Sequence, residues 1–275
     1  VDHVIFSPRV NVRFNPSEAV NLRVSYAGGY RAPQAFDEDM HIAIVGGKRV
    51  RIRLADDLRE ERSHSVSLSA DLYHTFGKVQ TNLLVEGFYT ILDDVFALRD
   101  MDDAADGGKV KERYNGSGAT VRGFNVEGRA AFTRWFELQA GVTLQQSRYK
   151  EPEFWSEDAE VPPVRRMFRT PDAYGYFTAS FKPVRNFTAD LSGTCTGSML
   201  VQHMAGSGVA QDVAVSTPSF FDMNIRLSYD VRIYKEITMQ LYGGVQNLFN
   251  AYQKDFDKGV DRDSGYIYGP SLPRS

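Results

Sequence analysis

The chain contains one cysteine, Cys195, in 275 residues, which excludes an internal disulfide framework and a zinc site built from four thiolates. It has no surplus of positive charge. Against 32 Lys and Arg stand 35 Asp and Glu, a formal net charge of -3, which argues against a nucleic-acid partner held through its phosphates. No apolar run approaches the roughly 18 residues needed for a membrane-crossing helix. That excludes helical spans but not a membrane, because a spanning strand needs apolar residues only at every second position. The first residues, Val1-Asp2-His3-Val4, lack the basic start and apolar stretch of a signal peptide. A cytoplasmic chain, or a mature or shortened piece of an exported one, fits that start. Serine and cysteine triads, phosphate-binding loops and metal-ligand spacings are also missing, so no enzyme is expected.

What the sequence does have is aromatic residues, at 12%, and a two-residue rhythm. Phe136, Leu138, Ala140, Val142 and Leu144 alternate with Glu137, Gln139, Gly141, Thr143 and Gln145, the pattern of a strand with one dry and one wet face. Phe221 to Val231, Ile237 to Val245, Phe187 to Met199 and Phe177 to Phe181 repeat it. So do Val10 to Phe14, Val20 to Tyr26 and Val66 to Leu72. Two strands are less regular: Leu84 and Phe88 fall on the wrong parity of the strand around Leu83 to Ile91, and the strand around Phe124 to Phe132 changes phase near Gly123. The count is ten strands of about nine to eleven residues, with almost no helical signal.

The joins between strands choose the architecture. They are short near Asn15-Pro16-Ser17, Phe76-Gly77-Lys78, Thr133-Arg134, Pro183-Val184-Arg185 and Arg232-Ile233-Tyr234, and long in between. Strict alternation of tight turns and extended loops is the asymmetry of an up-and-down transmembrane β-barrel, with short turns on the periplasmic side and long loops outside. Phe132, Trp135, Phe136, Phe181, Phe187 and Tyr234 crowd the short-turn end, as an interfacial girdle would. The expectation is an all-β, antiparallel barrel wall, with Cys195 inert on its apolar face. The tenth strand runs outward and no inward strand follows, so the chain reads as a piece of a larger barrel lacking its final strand and everything before Val1.

Several motifs along this frame resemble those of TonB-dependent outer-membrane receptors. Gly29-Tyr30-Arg31-Ala32-Pro33 with Phe36-Asp37-Glu38-Asp39, then Asp57-Leu58-Arg59-Glu60-Glu61-Arg62-Ser63, is similar to the paired boxes around one extracellular loop of that family. Arg122-Gly123-Phe124-Asn125-Val126, then Arg169-Thr170-Pro171 ahead of a strand, and Val245-Gln246-Asn247-Leu248-Phe249-Asn250-Ala251-Tyr252 follow in the family's order. Ala55 and Asp56 stand where the second box usually has Asn-Pro, Glu60 where Pro is common, and no aromatic residue ends the chain. The resemblance implies a barrel of about 22 strands around a plug, of which residues 1–275 would supply part of the wall, roughly the twelfth to the twenty-first strand. It implies an outer-membrane receptor of a Gram-negative bacterium that binds a scarce nutrient outside and imports it with TonB-coupled energy. The cargo would be an iron chelate or siderophore, haem or a cobalamin-type corrinoid. TonB would act through a plug outside this chain, and a surface lipoprotein is left open as a further partner. An outer-membrane barrel enzyme would need a nucleophile and base at matching depth, and an adhesin-like structural barrel would leave the loop boxes unexplained.

For ligand-binding residues, the resemblance singles out Tyr30 and Arg31, and His41 between the boxes, where haem receptors carry a histidine on the iron. The plainer reading of His41 is an exposed loop histidine. The loops also carry Asp37, Glu38, Asp39, Asp56, Asp57, Asp93, Asp94, Asp100, Asp102, Asp103 and Asp106, hard oxygen donors suited to calcium or simply a solvated surface. Lys48-Arg49-Val50-Arg51-Ile52-Arg53 reads first as a hairpin strand within a loop, then as a site for an anion. On the wet face, Glu137, Asp190, Asp222 and Arg226 are expected to bond water or a plug.

Overall fold

The structure, a computed structural model, describes residues 4–33, 50–101, 109–156, 158–206, 208–270 and 272–275. Sixteen strands run in chain order: β1 (Arg9–Ser17), β2 (Val20–Arg31), β3 (Val50–Leu54), β4 (Glu61–Phe76), β5 (Val79–Asp93), β6 (Phe96–Met101), β7 (Lys109–Asn115) and β8 (Ala119–Thr133). They continue as β9 (Phe136–Glu153), β10 (Val164–Arg166), β11 (Ala173–Phe181), β12 (Phe187–Thr196), β13 (Leu200–His203), β14 (Val213–Ser216), β15 (Phe220–Tyr234) and β16 (Ile237–Val245).

Ten of them form one antiparallel sheet in the order β1-β2-β4-β5-β8-β9-β11-β12-β15-β16, with β10 added beside β9. These ten are the ten alternating segments of the sequence, each beside its chain neighbour, and the sheet is not closed among the described residues. The remaining strands lie in the long joins: β3-β7-β6 form a small sheet and β13-β14 a hairpin. The basic segment before Leu54 does form a strand, but β3 lies parallel to β7, from Val50↔Lys109 to Leu54↔Arg113, and is not half of a local hairpin.

Among the described residues no second layer covers this sheet. The buried hydrophobic residues are Ala55, Ala119, Val201 and Tyr266, all near or within the loops, whereas Phe124 (65%), Leu68 (61%) and Leu144 (55%) stay exposed on the wall. The accessible surface is 18010 Å², against about 12,000 Å² expected of a compact monomer of this mass. A one-layer sheet with one apolar face is stable only where hydrocarbon meets that face.

The two irregular strands keep register with each other. β5 pairs with β8 without a shift from Gln80↔Ala131 to Leu92↔Ala119. Leu84 and Phe88 therefore sit on the polar face, Leu84 opposite Asp71 and Glu127, Phe88 opposite Ser67 and Gly123. The change of phase near Gly123 is chemical rather than geometric. Above Phe124 the same face continues with Arg122, which donates to Gln146 on β9 at 2.8 Å. Strand length explains it: β4, β5, β8, β9 and β15 have 15 to 18 residues, more than the nine to eleven expected, so their loop-side ends outrun a bilayer core.

At the opposite end, Phe132 stacks on Phe136 at 5.3 Å between ring centres and Trp135 meets Phe181 edge-on at 5.2 Å. The turn beneath β4 and β5 needs Gly77, whose φ of 63° lies in the left-handed region.

Candidate functional site

Because side chains alternate, most polar residues in the middle of the wall strands share one face. They cross-link there: Arg129 donates to Glu137 at 2.6 Å, Gln139 to Glu127 at 2.8 Å, Thr143 to Asn125 at 2.8 Å and Ser180 to Asp190 at 2.7 Å. Asp190 faces Arg226, whose guanidinium lies 4.8 Å above the Tyr242 ring. Glu137, Asp190 and Arg226 are thus tied into the wall itself. One oxygen of Asp222, Oδ1, is buried with no hydrogen-bond partner among the described residues. Cys195 lies opposite Phe221 on the apolar face and is exposed and unpaired.

The two sequence boxes meet across strands. Gly29, Tyr30 and Arg31 of β2 face Ser63, Arg62 and Glu61 of β4. Alternation then sends the two box residues to opposite sides. Tyr30 shares the face of Val24 and Tyr26 and is 53% exposed. Arg31 turns to the other face, 3.3 Å from the Glu61 carboxylate and 4.9 Å from the centre of the Phe96 ring at the root of the loop sheet. His41 lies outside the described residues, as do Asp37, Glu38, Asp39, Asp102, Asp103 and Asp106. Among the described residues no group of three or more His, Cys, Asp or Glu is arranged to hold a metal ion. His64 follows Val66 and Leu68 on the apolar side, where its Nδ1 and the Tyr26 hydroxyl are 2.8 Å apart.

Above the polar face, between the loop sheet and the upper end of β9, lies a cavity of about 600 Å³. Asn115 builds its floor. Its amide donates to the Asp94 and Arg59 carbonyls at 2.8 and 3.0 Å and accepts from the Arg59 N–H at 2.8 Å. Glu151 and Glu153 enter from the side of β9 that carries Thr143 and Gln145. Burial pushes the Glu153 carboxyl upward, while a hydrogen bond from the Tyr114 hydroxyl acts the other way. Both arginines of the lining are already engaged: Arg59 with Asp94 at 3.0 Å, Arg99 with Glu112 at 2.8 Å through Nε. The sequence reading named Asp57 and Asp94 as loop acids but missed Glu151, Glu153 and Tyr114. Two segments far apart in sequence, β7 and the upper end of β9, contribute them, and only the parity of β9 hinted at the two glutamates.

A second cluster holds the loops in place. Gln253, 1% exposed, donates to the Tyr266 carbonyl at 3.0 Å and accepts from the Tyr268 and Gly269 N–H groups at 2.9 and 3.3 Å. His203 on β13 meets Asp257 at 2.9 Å and stacks on Tyr266 at 3.7 Å. Arg169 donates to the Ile267 carbonyl at 2.7 Å and also to the Gly265 carbonyl. Asn247 accepts from the Ala251 N–H at 2.7 Å and donates to the Leu272 carbonyl at 3.1 Å. The Arg169 and Asn247 motifs read in the sequence are therefore loop anchors.

An open antiparallel sheet with one greasy face, one polar face, tight turns below and folded loops above defines the wall of a transmembrane β-barrel. The model of the family described as TonB dependent receptor-like, beta-barrel matches residues 2–248, and the chain belongs to that family. The family is one of receptors and transporters, not enzymes. Solved structures agree in fold. The ferric-catecholate import receptor Fiu of Escherichia coli superimposes with a TM-score of 0.62 at 16% identity, covering 97% of this chain and 33% of that one. A mutant of the ferric enterobactin receptor of Pseudomonas aeruginosa gives 0.64 at 16%, covering 98% and 38%. The copper transporter OprC gives 0.61 at 11%, covering 90% and 34%. The chain spans between about a third and two fifths of these receptors' length. No curated protein matches it in sequence.

Proposed function

We propose that this chain is the loop-bearing wall of an active-transport receptor in the outer membrane of a Gram-negative bacterium. The receptor binds a scarce nutrient at its outer mouth and imports it through a plugged barrel with TonB-coupled energy. The observation that carries this reading is the ten-strand wall with a polar inner face beneath a loop-lined cavity, in a chain of the TonB-dependent receptor family. Iron chelates, haem and corrinoids are the cargo classes, because solutes of that size exceed ordinary porin passage. Calcium at the acidic loops and a capping lipoprotein belong to the same proposal.

The test is uptake of each candidate by a strain lacking the gene and by the complemented strain, under starvation, with and without a proton-motive force. Energised accumulation only in the complemented strain supports import; equal growth of both strains on every candidate removes it. Tyr30, Arg31 and His41 are proposed ligand contacts. If haem is the cargo, His41→Ala weakens haem binding by roughly an order of magnitude, as losing an axial ligand should; unchanged haem affinity eliminates that role.

A further inference from the structure

The outward face of the wall changes character within one step of the ladder between β8 and β9. Phe124 and Leu144 lie opposite each other and are exposed. The next residues on that face are Arg122 and Gln146, and the pair above them is Thr120 and Arg148. Both arginines are exposed. Their depth follows from the strand. From Phe132 of the aromatic girdle to Arg122, β8 climbs roughly 33 Å at about 3.3 Å per residue, or about 25 Å of membrane depth at a tilt of about 40°. The apolar band of such barrels is about 25 Å tall. Arg122 therefore stands at its outer rim, and Arg148, one pair higher, stands in the headgroup layer.

Charge balance sets these two apart from the other cations on the same face. Lys150 is paired with Asp93, and Arg166 on β10 with Asp172 at 3.0 Å. Arg122 donates to the neutral amide oxygen of Gln146 at 2.8 Å, and among the described residues neither Arg122 nor Arg148 has a carboxylate partner. Tyr89, exposed and directly opposite Arg122 on β5, adds a ring and a hydroxyl at the same depth, where belt tyrosines sit.

Resting on the outer-membrane placement proposed above, we infer that Arg122 and Arg148 hold the phosphorylated headgroup of an outer-leaflet lipid against the outside of the wall. Its acyl chains lie below, on Phe124 and Leu144. Guanidinium groups match phosphate oxygens two at a time, and they do so best where bulk water is scarce. A lipid joins charge above to hydrocarbon below in one molecule, whereas a free phosphate meets only the upper half of this surface. The wall thereby takes its missing counter-charge from the membrane itself.

The test uses the complete receptor, purified in a neutral detergent and titrated with diphosphoryl lipid A, with the same lipid stripped of its phosphates, and with inorganic phosphate. Native mass spectrometry counts what stays bound. Diphosphoryl lipid A is expected to bind at least about tenfold tighter than either of the others, and R122Q/R148Q is expected to lose about tenfold of that affinity. Lys150→Gln, which removes a cation already paired with Asp93, is expected to lose less than about twofold. A heat-modifiable band on electrophoresis shows that the variants are folded. Equal binding of the phosphate-free lipid, inorganic phosphate binding as tightly as the lipid, or equal losses in the arginine and Lys150 variants overturns the inference. Recovery of the receptor outside the outer-membrane fraction of cells would instead sink the placement on which the inference rests, whatever the titrations show.

Discussion

Asp255 accepts hydrogen bonds from two tyrosines of the terminal loop, Tyr268 at 2.6 Å and Tyr266 at 3.0 Å. Burial and the neighbouring carboxylate push Tyr266 up to about 12, and Tyr268 further in the same direction. Burial alone would raise Asp255, yet the hydroxyls of Tyr268 and Tyr266 hold it below its ordinary value. The signs then follow from linkage. A tyrosine raised in the fold contributes stability that is complete below its ordinary value of 10 and lost as pH climbs through 12. A lowered carboxyl contributes stability above its ordinary value of 3.8 that is lost on further acidification. In Asp255→Asn, two late-titrating tyrosines should ionise nearer pH 10, followed by tyrosinate absorbance; an unchanged titration curve refutes the cluster. Gly193 makes a different residue-scale prediction. A Cβ there would lie 2.3 Å from Cε1 of Phe177, whose ring crosses the glycine on the apolar face. Gly193→Ala should cost about 1–3 kcal/mol from overpacking, read as a lower urea midpoint of the complete receptor in vesicles.

At the scale of the strand, alternation carries the argument, and β9 and β8 test it. Leu144 and Val126 are exposed apolar residues on one face, while Thr143 and Asn125 bond each other on the other. Leu144→Arg places charge in hydrocarbon and should cost about 2–4 kcal/mol if it lies near the bilayer centre, whereas Thr143→Arg, on the watery side, should cost about 1 kcal/mol or less. Equal effects in vesicle refolding would refute the assignment of faces. The existence of all ten wall strands was legible because period two survives any tertiary context that keeps one face dry. Strand ends were less legible. Arg122, Gln146 and Arg148 continue the apolar face of β8 and β9 with polar residues, and polarity reads as loop until the ladder Thr120↔Arg148 and Arg122↔Gln146 shows it is strand. Parallel pairing of β3 with β7 joins segments that no local pattern connects.

Across the whole molecule, the outer edges of β1 and β16 carry no neighbouring wall strand among the described residues, so main-chain groups face outward on both sides. Hydrocarbon does not tolerate such edges. The stretch expressed alone is expected to aggregate instead of giving the heat-modifiable, detergent-resistant band of a closed barrel, a band the complete receptor should give on electrophoresis. A monomeric, resistant band from residues 1–275 would contradict this. The site divides in the same way. The boxes at Tyr30-Arg31 and Glu61-Arg62 could be read because they are contiguous motifs, and the structure sets them opposite each other on β2 and β4. The cavity could not, since Asp57, Tyr114 and Glu153 come from separate joins and meet only when β3-β7-β6 fold down beside β9.

By itself the sequence determined the ten wall strands, their order and which face of each is greasy, because an extended chain sends successive side chains to opposite sides and hydrocarbon tolerates only one kind. Tertiary structure alone decided that Arg31 is held by Glu61 and Phe96, that Arg169 and Gln253 fasten the loops, and that carboxylates from separate joins line one cavity. Charge balance at a point depends on distances between remote segments, and the periodicity of a chain does not encode those distances.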